Sequence, residues 1–488
     1  MFDRFIKHSV HHPGQMLCVV LAILVLAGFA AVRLPIDAVP DVTNVQVQIN
    51  TAVPALDPET SEINITFPIE SAMGAVPDVQ EVRSVTRYGL SQVTVVFRPG
   101  TDLYRARQLI NEVLQNVDLP PGIQPRLGPI ATGLGEIYHY TLEMKSPATD
   151  PDERLRQLMR LRTLQEWEVK RRLLTVPGVA EVNTIGGHPE AYYVEPDPDA
   201  MALYGVHFDD IMRALQENNR NAGGGVVQQT VDQFIIQGEG LVQSLNELRG
   251  IPVKRQADLT VVRLQDVARV QADEEIRTGA AVVNGREAVL GTVFMLLGEN
   301  SRAVSSAVDA RVQEIRKTLP DQIELKTYYD RSYLVDGTIA TVRENLTLGA
   351  MLVIAVLFLL TGNLRAAAIT AVTIPLSFGC TIIAMYVTGV SANLMSLGAL
   401  DFGLLIDGAV IVIDSCYVAV QQRADQLNRP LTRTEVRQSV ADASIAIRRA
   451  AGFGQLIILI VFVPILALTG IEGKMFRPMA ATFCFALI

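Results

Sequence analysis

Along part of this chain the apolar residues gather in long unbroken runs, and along the rest they recur at strand and helix periods. Residues 16–32 form one run, and 346–360, 364–387, 394–420 and 450–468 form four more. As helices these can cross a hydrocarbon layer of about 30 Å, the 346–360 run only if its polar flank joins the helix. A further run, 479–488, has only ten residues before the sequence stops. The pattern therefore predicts five full spans and a sixth cut short, with a missing C-terminal part to be expected.

Basic residues in short connections set the orientation, because Lys and Arg are retained on the cytoplasmic side. The connection between the fourth and fifth runs carries Arg423, Arg429, Arg433, Arg437, Arg448 and Arg449, whereas TGVSAN, between the third and fourth, carries none. The arginine-rich loop and the N-terminus are thus expected inside, and residues 34–337 outside. Run 16–32 is long for a signal peptide, and AVRLPID after it lacks a small-x-small cleavage pattern, so it reads as a retained span.

The external stretch holds a broken repeat. VPDVQEV at 76–82 recurs as VPGVAEV at 176–182, each after a helix-like segment and before a strand-like one. TVVFRPGTDLYRARQLINEVL, 94–114, reads as strand, turn and helix, and its counterpart GTVFMLLGENSRAVSSAVDARVQEI comes only at 291–315. Two related βαβ subdomains of the split ferredoxin-like kind are expected, the second interrupted by an insertion over about 183–276. The expected class is a polytopic α-helical membrane protein with a large α+β outer domain. Its parts are a cytoplasmic end and first span (1–33), a first subdomain (34–135), a split second one (136–182 and 277–337), the insertion, and the remaining spans (338–488). Within the insertion, NNRNAGGGVVQQTVDQF at 218–234 reads as an extended hairpin around Gly223, Gly224 and Gly225. It fits an arm reaching another subunit, and equally an ordinary surface loop.

The 394–420 run contains LDFGLLIDGAVIVIDS, with Asp401, Asp407 and Asp414. An Asp at the bilayer centre costs about 2.5 to 3.5 kcal/mol, so three cost on the order of 8 kcal/mol unless they have a use or an interface. On a helix, Asp407 and Asp414 share a face about 10 Å apart, and Asp401 is rotated by roughly 120°. They form a ladder along the membrane normal, which is the placement of an ion or proton pathway. Desolvation favours the protonated carboxyl. Asp414 fits a snorkelling carboxylate at the inner interface equally well. Ala399 and Gly403, with Gly408 and Ala409, let a neighbouring helix approach closely.

Composition narrows the chemistry. The 488 residues, 49% hydrophobic, exceed what one core holds and point away from a simple soluble enzyme. A net charge of −9 argues against nucleic acid as a partner. Cys18, Cys380, Cys416 and Cys484 all lie in or beside apolar runs, so neither a disulfide framework nor a cysteine metal site is expected outside. Thirteen scattered methionines speak weakly against a thioether relay for monovalent ions. In GLGEIYHY, Glu136 and His139 lie three apart on an expected strand; that spacing points them to opposite faces, with His139 structural. His8, His11 and His12 precede the first span and fit an interfacial anchor better than a metal site.

GALDFGLLIDGA (398–409), LPIDAVPDVTNVQVQI (34–49), VFMLLGENSRAV (293–304) and TGIEGKMFRPMA (469–480) resemble the heavy-metal efflux branch of the resistance-nodulation-division transporters, closest to its cobalt-zinc-cadmium type. The likeness runs the length of the chain. Members are about twice this length and have two such halves, so the resemblance implies a first half. It further implies a proton-driven, inner-membrane homotrimer embedded in the lipid bilayer that exports divalent metal ions through a periplasmic adaptor (membrane fusion) protein and an outer-membrane channel, with no cofactor and no enzyme activity. By position Asp401 and Asp407 match the proton-relay aspartates. Asp414 stands where the family usually has Glu within Val-Glu-Asn. The insertion resembles the docking subdomain whose hairpin enters the neighbouring protomer. Glu136 lies in a stretch similar to the porter cleft, as a candidate transient metal ligand; an exposed strand carboxylate is the plainer reading. Two other functions remain open. A drug or amphiphile exporter would need an aromatic-lined pocket, and a non-transporting scaffold or sensor would tolerate loss of the aspartates.

Overall fold

A computed structural model describes residues 2–37, 40–53, 56–229, 232–256, 259–277, 279–361, 364–398 and 402–487, with the backbone alone over 402–407. Its strands run β1 (Gln46–Val53), β2 (Val79–Arg87), β3 (Gly89–Phe97) and β4 (Pro125–Leu127) in a first sheet of order β2-β3-β1-β4. A second sheet holds β5 (Glu136–Met144) and β6 (Val179–Ile185). Then follow β7 (Glu190–Pro196), β8 (Ala222–Gln229), β9 (Asp232–Gly238), β10 (Pro252–Arg255), β11 (Val261–Arg263) and β12 (Ala268–Glu274). The second sheet resumes with β13 (Ala281–Val283), β14 (Arg286–Met295) and β15 (Ile323–Asp330). Its central order, β6-β14-β5-β15, is the order of the first sheet strand for strand.

The same local devices build both units. In each, an aspartate caps the first helix: Asp57 accepts from the Thr60 amide at 2.9 Å, and Asp150 from the Glu153 amide at 3.0 Å. Each first helix then widens into a π turn, at Glu62–Thr66 and at Gln165–Val169. The turns bury one polar side chain apiece: Thr66 bonds Ser91 at 2.7 Å, and the Gln165 amide donates to the Tyr140 hydroxyl at 2.8 Å. The VPD and VPG turns both need left-handed backbone, at Asp78 (φ 62°) and Gly178 (φ 87°). At 178 only glycine also fits the space, since a Cβ would lie 2.6 Å from Val304 Cγ2. On β14 a Cβ at Gly291 would lie 2.2 Å from the Tyr140 ring, so the ring and the bare backbone define each other's place.

The excursion leaves the second sheet after Ile185 and returns at β13. It has its own small core of Val206, Ile211, Leu248, Val262 and Leu264. At its root His188 contacts Glu274, and Arg277 contacts Glu287 of β14. Burial, with the Arg277 charge beside it, holds the His188 imidazole below its usual pKa. The glycine-rich segment is a two-stranded ribbon of β8 and β9, with Gly224 the extra residue of a bulge between Gly223 and Gly225. Val226, Val227, Phe234 and Ile236 are exposed, and Ile235 is 80% exposed, so the described residues leave much of the ribbon's apolar surface uncovered.

Among the described residues four helices are long and apolar enough to cross a membrane, within Pro13–Arg33, Arg331–Val356, Ile369–Thr388 and Arg433–Leu466. The arginine-rich stretch expected as a loop is mostly helix. Only 428–432 separate helix Phe402–Leu427 from helix Arg433–Leu466. No proline interrupts 433–463, the helix carries through Gly452 and Gly454, and Thr432 and Glu435 form a reciprocal capping box at its start. Arg433, Arg437, Arg448 and Arg449 therefore lie on an extension of the fifth run, while Arg423 lies near the end of the preceding helix and Arg429 in the link.

Candidate functional site: the aspartate helix and the Glu136–His139 pair

Ahead of the aspartates, Asn393 and Ser396 cap a short helix, Leu394–Gly398, by reciprocal bonds of 2.8 and 2.9 Å. Ala399 and Asp401 lie outside the described residues. Asp407 and Asp414 sit on one helix, Phe402–Leu427, and Asp414 is exposed in this chain. Seven residues make just under two turns, so the two share a face.

Gly403 and Gly408 lie on the same helix. The space beside Gly408 is filled by a polar group: a Cβ there would sit 2.4 Å from the Nε2 atom of Gln455 on helix Arg433–Leu466. A small residue was expected to admit a neighbouring helix; it admits that helix's amide, one residue from Asp407. The signal lay in the sequence, where Gln455 is the polar interruption of the run 450–468. Two turns further on, Cys416 Sγ lies 3.3 Å from Ser444 Oγ, a second polar contact between these helices.

The second sheet corrects the reading of GLGEIYHY. The β5 to β14 register pairs His139 with Thr292, Tyr138 with Val293 and Glu136 with Phe294, leaving Ile137 as an extra residue. That bulge breaks the alternation. Glu136 and His139 consequently meet on one side, with Oε2 and Nε2 3.3 Å apart. His139 Nε2 is buried and makes no hydrogen bond among the described residues. Its ring packs against Tyr329, centroids 5.1 Å apart, on the adjoining strand β15. An imidazole nitrogen and a carboxylate oxygen each about 2.0 to 2.1 Å from one tetrahedral metal ion stand about 3.3 to 3.4 Å from each other. The observed 3.3 Å matches that edge length and equally a direct imidazole–carboxylate contact. Among the described residues no group of three or more His, Cys, Asp or Glu could hold a metal ion.

The model of the AcrB/AcrD/AcrF family matches residues 5–488. The chain belongs to that family. It is 48% identical over 490 residues to the cobalt-zinc-cadmium resistance protein CzcA of Cupriavidus metallidurans, covering 100% of this chain and 46% of that protein. It is 39% identical over 513 residues to the nickel and cobalt resistance protein CnrA of the same organism, 100% and 48% covered. The cation efflux system protein CusA of Escherichia coli K12 is 34% identical over 493 residues, 100% and 46% covered. A solved structure, the X-ray crystal structure of a heavy metal efflux pump, superposes with a TM-score of 0.86 at 34% identity, over 99% of this chain and 46% of that one. The chain spans about half the length of the curated relatives it matches.

As a member of the AcrB/AcrD/AcrF family the chain has the fold of a resistance-nodulation-division transporter. The remaining candidates sort by geometry. His8 and His12 pack ring to ring at 4.5 Å, His8 Nε2 meets Gln15 at 3.0 Å, and His11 Nδ1 donates to the Lys7 carbonyl at 2.7 Å. The His8 contacts join the helix Phe2–His11 to the start of the helix Pro13–Arg33. All four cysteines are free.

Proposed function

We propose that this chain forms part of a proton-driven exporter of divalent heavy-metal cations, with Asp401, Asp407 and Asp414 carrying protons and Glu136 receiving metal. The observation that carries the reading is the aspartate-bearing apolar helix, its Gly408 seated on the Gln455 amide, in a chain 48% identical to a cobalt-zinc-cadmium resistance protein. Intramembrane carboxylates are costly and typically mark proton or ion paths. Imidazole and carboxylate suit zinc, cobalt and cadmium better than Cu(I) or Ag(I), which prefer thiolate and thioether.

In this reading residues 34–337 stand in the periplasm above an inner-membrane domain, as two ferredoxin-like porter units; their common strand order supports that assignment. A periplasmic adaptor and an outer-membrane channel would carry the cargo onward. The deciding experiment is metal uptake by inverted vesicles under an imposed proton gradient. Zinc or cobalt should accumulate and should be released on adding a protonophore; accumulation indifferent to the gradient would refute proton coupling.

The ribbon of β8 and β9 is the arm of a homotrimer. The described residues leave its apolar side chains largely exposed, and a second copy would cover them. Cysteines placed one at a time at Val226, Val227 and Ile235 should crosslink to a neighbouring subunit in membranes. Adducts confined to one chain would rule out the arm.

A further inference from the structure

Arg331 stands where three parts of the molecule meet. It follows β15 without an intervening residue and begins the helix Arg331–Thr361, so the outer sheet and a membrane helix are one continuous backbone there. The residue is 6% exposed, and each of its three guanidinium nitrogens donates a hydrogen bond. Nε and Nη2 donate to Asp37 Oδ1 at 3.1 and 2.8 Å, and Nη1 donates to the Leu134 carbonyl at 2.9 Å. Leu134 is two residues before Glu136, and β15 pairs Tyr329 with His139 itself. Asp37 belongs to the segment leaving the first membrane helix. That segment is stitched to the link ahead of the aspartate helix: Asp37 N donates to Ala392 O and Ala392 N to Pro35 O, both at 3.0 Å. Three steps of hydrogen bonding thus join the outer end of the aspartate region to the root of the Glu136–His139 pair.

We infer that Arg331 is the positioning residue through which the aspartate helix and the Glu136–His139 pair are coupled. The inference rests on the exporter reading above. Coupling needs an element with two arrangements, and spatial adjacency alone does not supply one. Here the element is the guanidinium fork, which holds Asp37 and Leu134 together or releases one of them. A cavity of about 330 Å³ lined by Asp37, Asp41, Glu299 and Arg331 gives the released side chain room beside its seat. Only Arg has the planar fork for this. Lys keeps the charge, but a single ammonium does not reproduce the two-sided grip.

The test uses the protein reconstituted in vesicles, with metal flux and proton flux recorded together. Arg331→Met should lower the maximal metal transport rate roughly 5- to 150-fold, the span of ordinary coupling free energies. The metal KM should stay within about twofold, because the binding pair is untouched. Protons should still cross, so the ratio of protons to metal ions rises. Arg331→Lys, which retains the buried charge, should show the same split to a smaller degree and carries the test if Arg331→Met fails to assemble. Unchanged stoichiometry and rate in both variants would overturn the inference and leave the exporter reading standing. A wild-type protein that moves no metal under a proton gradient would overturn both.

Discussion

Vesicles carrying Asp407→Asn should accumulate no more metal under a proton gradient than wild-type vesicles treated with a protonophore. Export against a gradient needs a downhill partner, and each proton driven across 100 mV contributes about 2.3 kcal/mol, to which any pH difference adds. A carrier for that proton must take it up on one side and give it up on the other, which an amide of the same shape cannot do. Asp407 lies mid-run on helix Phe402–Leu427, whose two flanks are apolar for several residues. Asn also removes an ionisable group that costs about 2.5 to 3.5 kcal/mol at that depth, so the helix should pack no worse than before. Expression, subunit assembly and metal binding to the outer domain should all be retained. Normal pumping by Asp407→Asn would mean that the aspartates serve packing or bind a cation directly. Asp414→Asn is expected to act less strongly, since Asp414 is nearer the arginine-bearing end of the helix and is exposed in this chain.

Elements whose pattern is redundant were legible before the fold was known. Apolar runs, the VPD and VPG turns and the glycine-rich ribbon each state their structure several times over, by length, by period and by turn residues. What stayed hidden depended on single events. The bulge at Ile137 shifts one residue against β14, and that shift alone turns Glu136 toward His139; strict alternation gives the opposite answer. Nor does composition reveal that the arginines beyond Arg433 continue a helix, because charge marks the side of the membrane and leaves the backbone unspecified. Gln455 and Arg331 were passed over for a third reason. A lone polar residue in an apolar run, or an arginine at a strand end, gains meaning only from partners distant in sequence: Gly408 for one, Asp37 and Leu134 for the other. The two π turns are likewise tertiary in origin, set by where Thr66 and Gln165 find their polar partners.

The second large effect is expected at the Glu136–His139 pair. Glu136→Gln and His139→Gln should each weaken binding of zinc or cobalt to the purified protein. The factor should be at least the 10- to 100-fold that loss of a mere outer-shell partner costs at metal sites. The two donors already stand at the edge length of a tetrahedral site, 3.3 Å apart. The bulge in β5 and the Tyr329 ring hold them there, so little ordering remains to be done on binding. Because they act on one ion, the double variant should bind not much more weakly than either single one, which is the non-additivity of residues sharing a partner. Ag(I), which prefers sulfur donors, should compete poorly. Titration calorimetry with zinc, and the absorption spectrum of bound cobalt, separate these expectations from a simple salt contact. An ion pair alone would leave both metal affinity and the cobalt spectrum unaltered in His139→Gln, and that result would return Glu136 to the status of an exposed strand carboxylate.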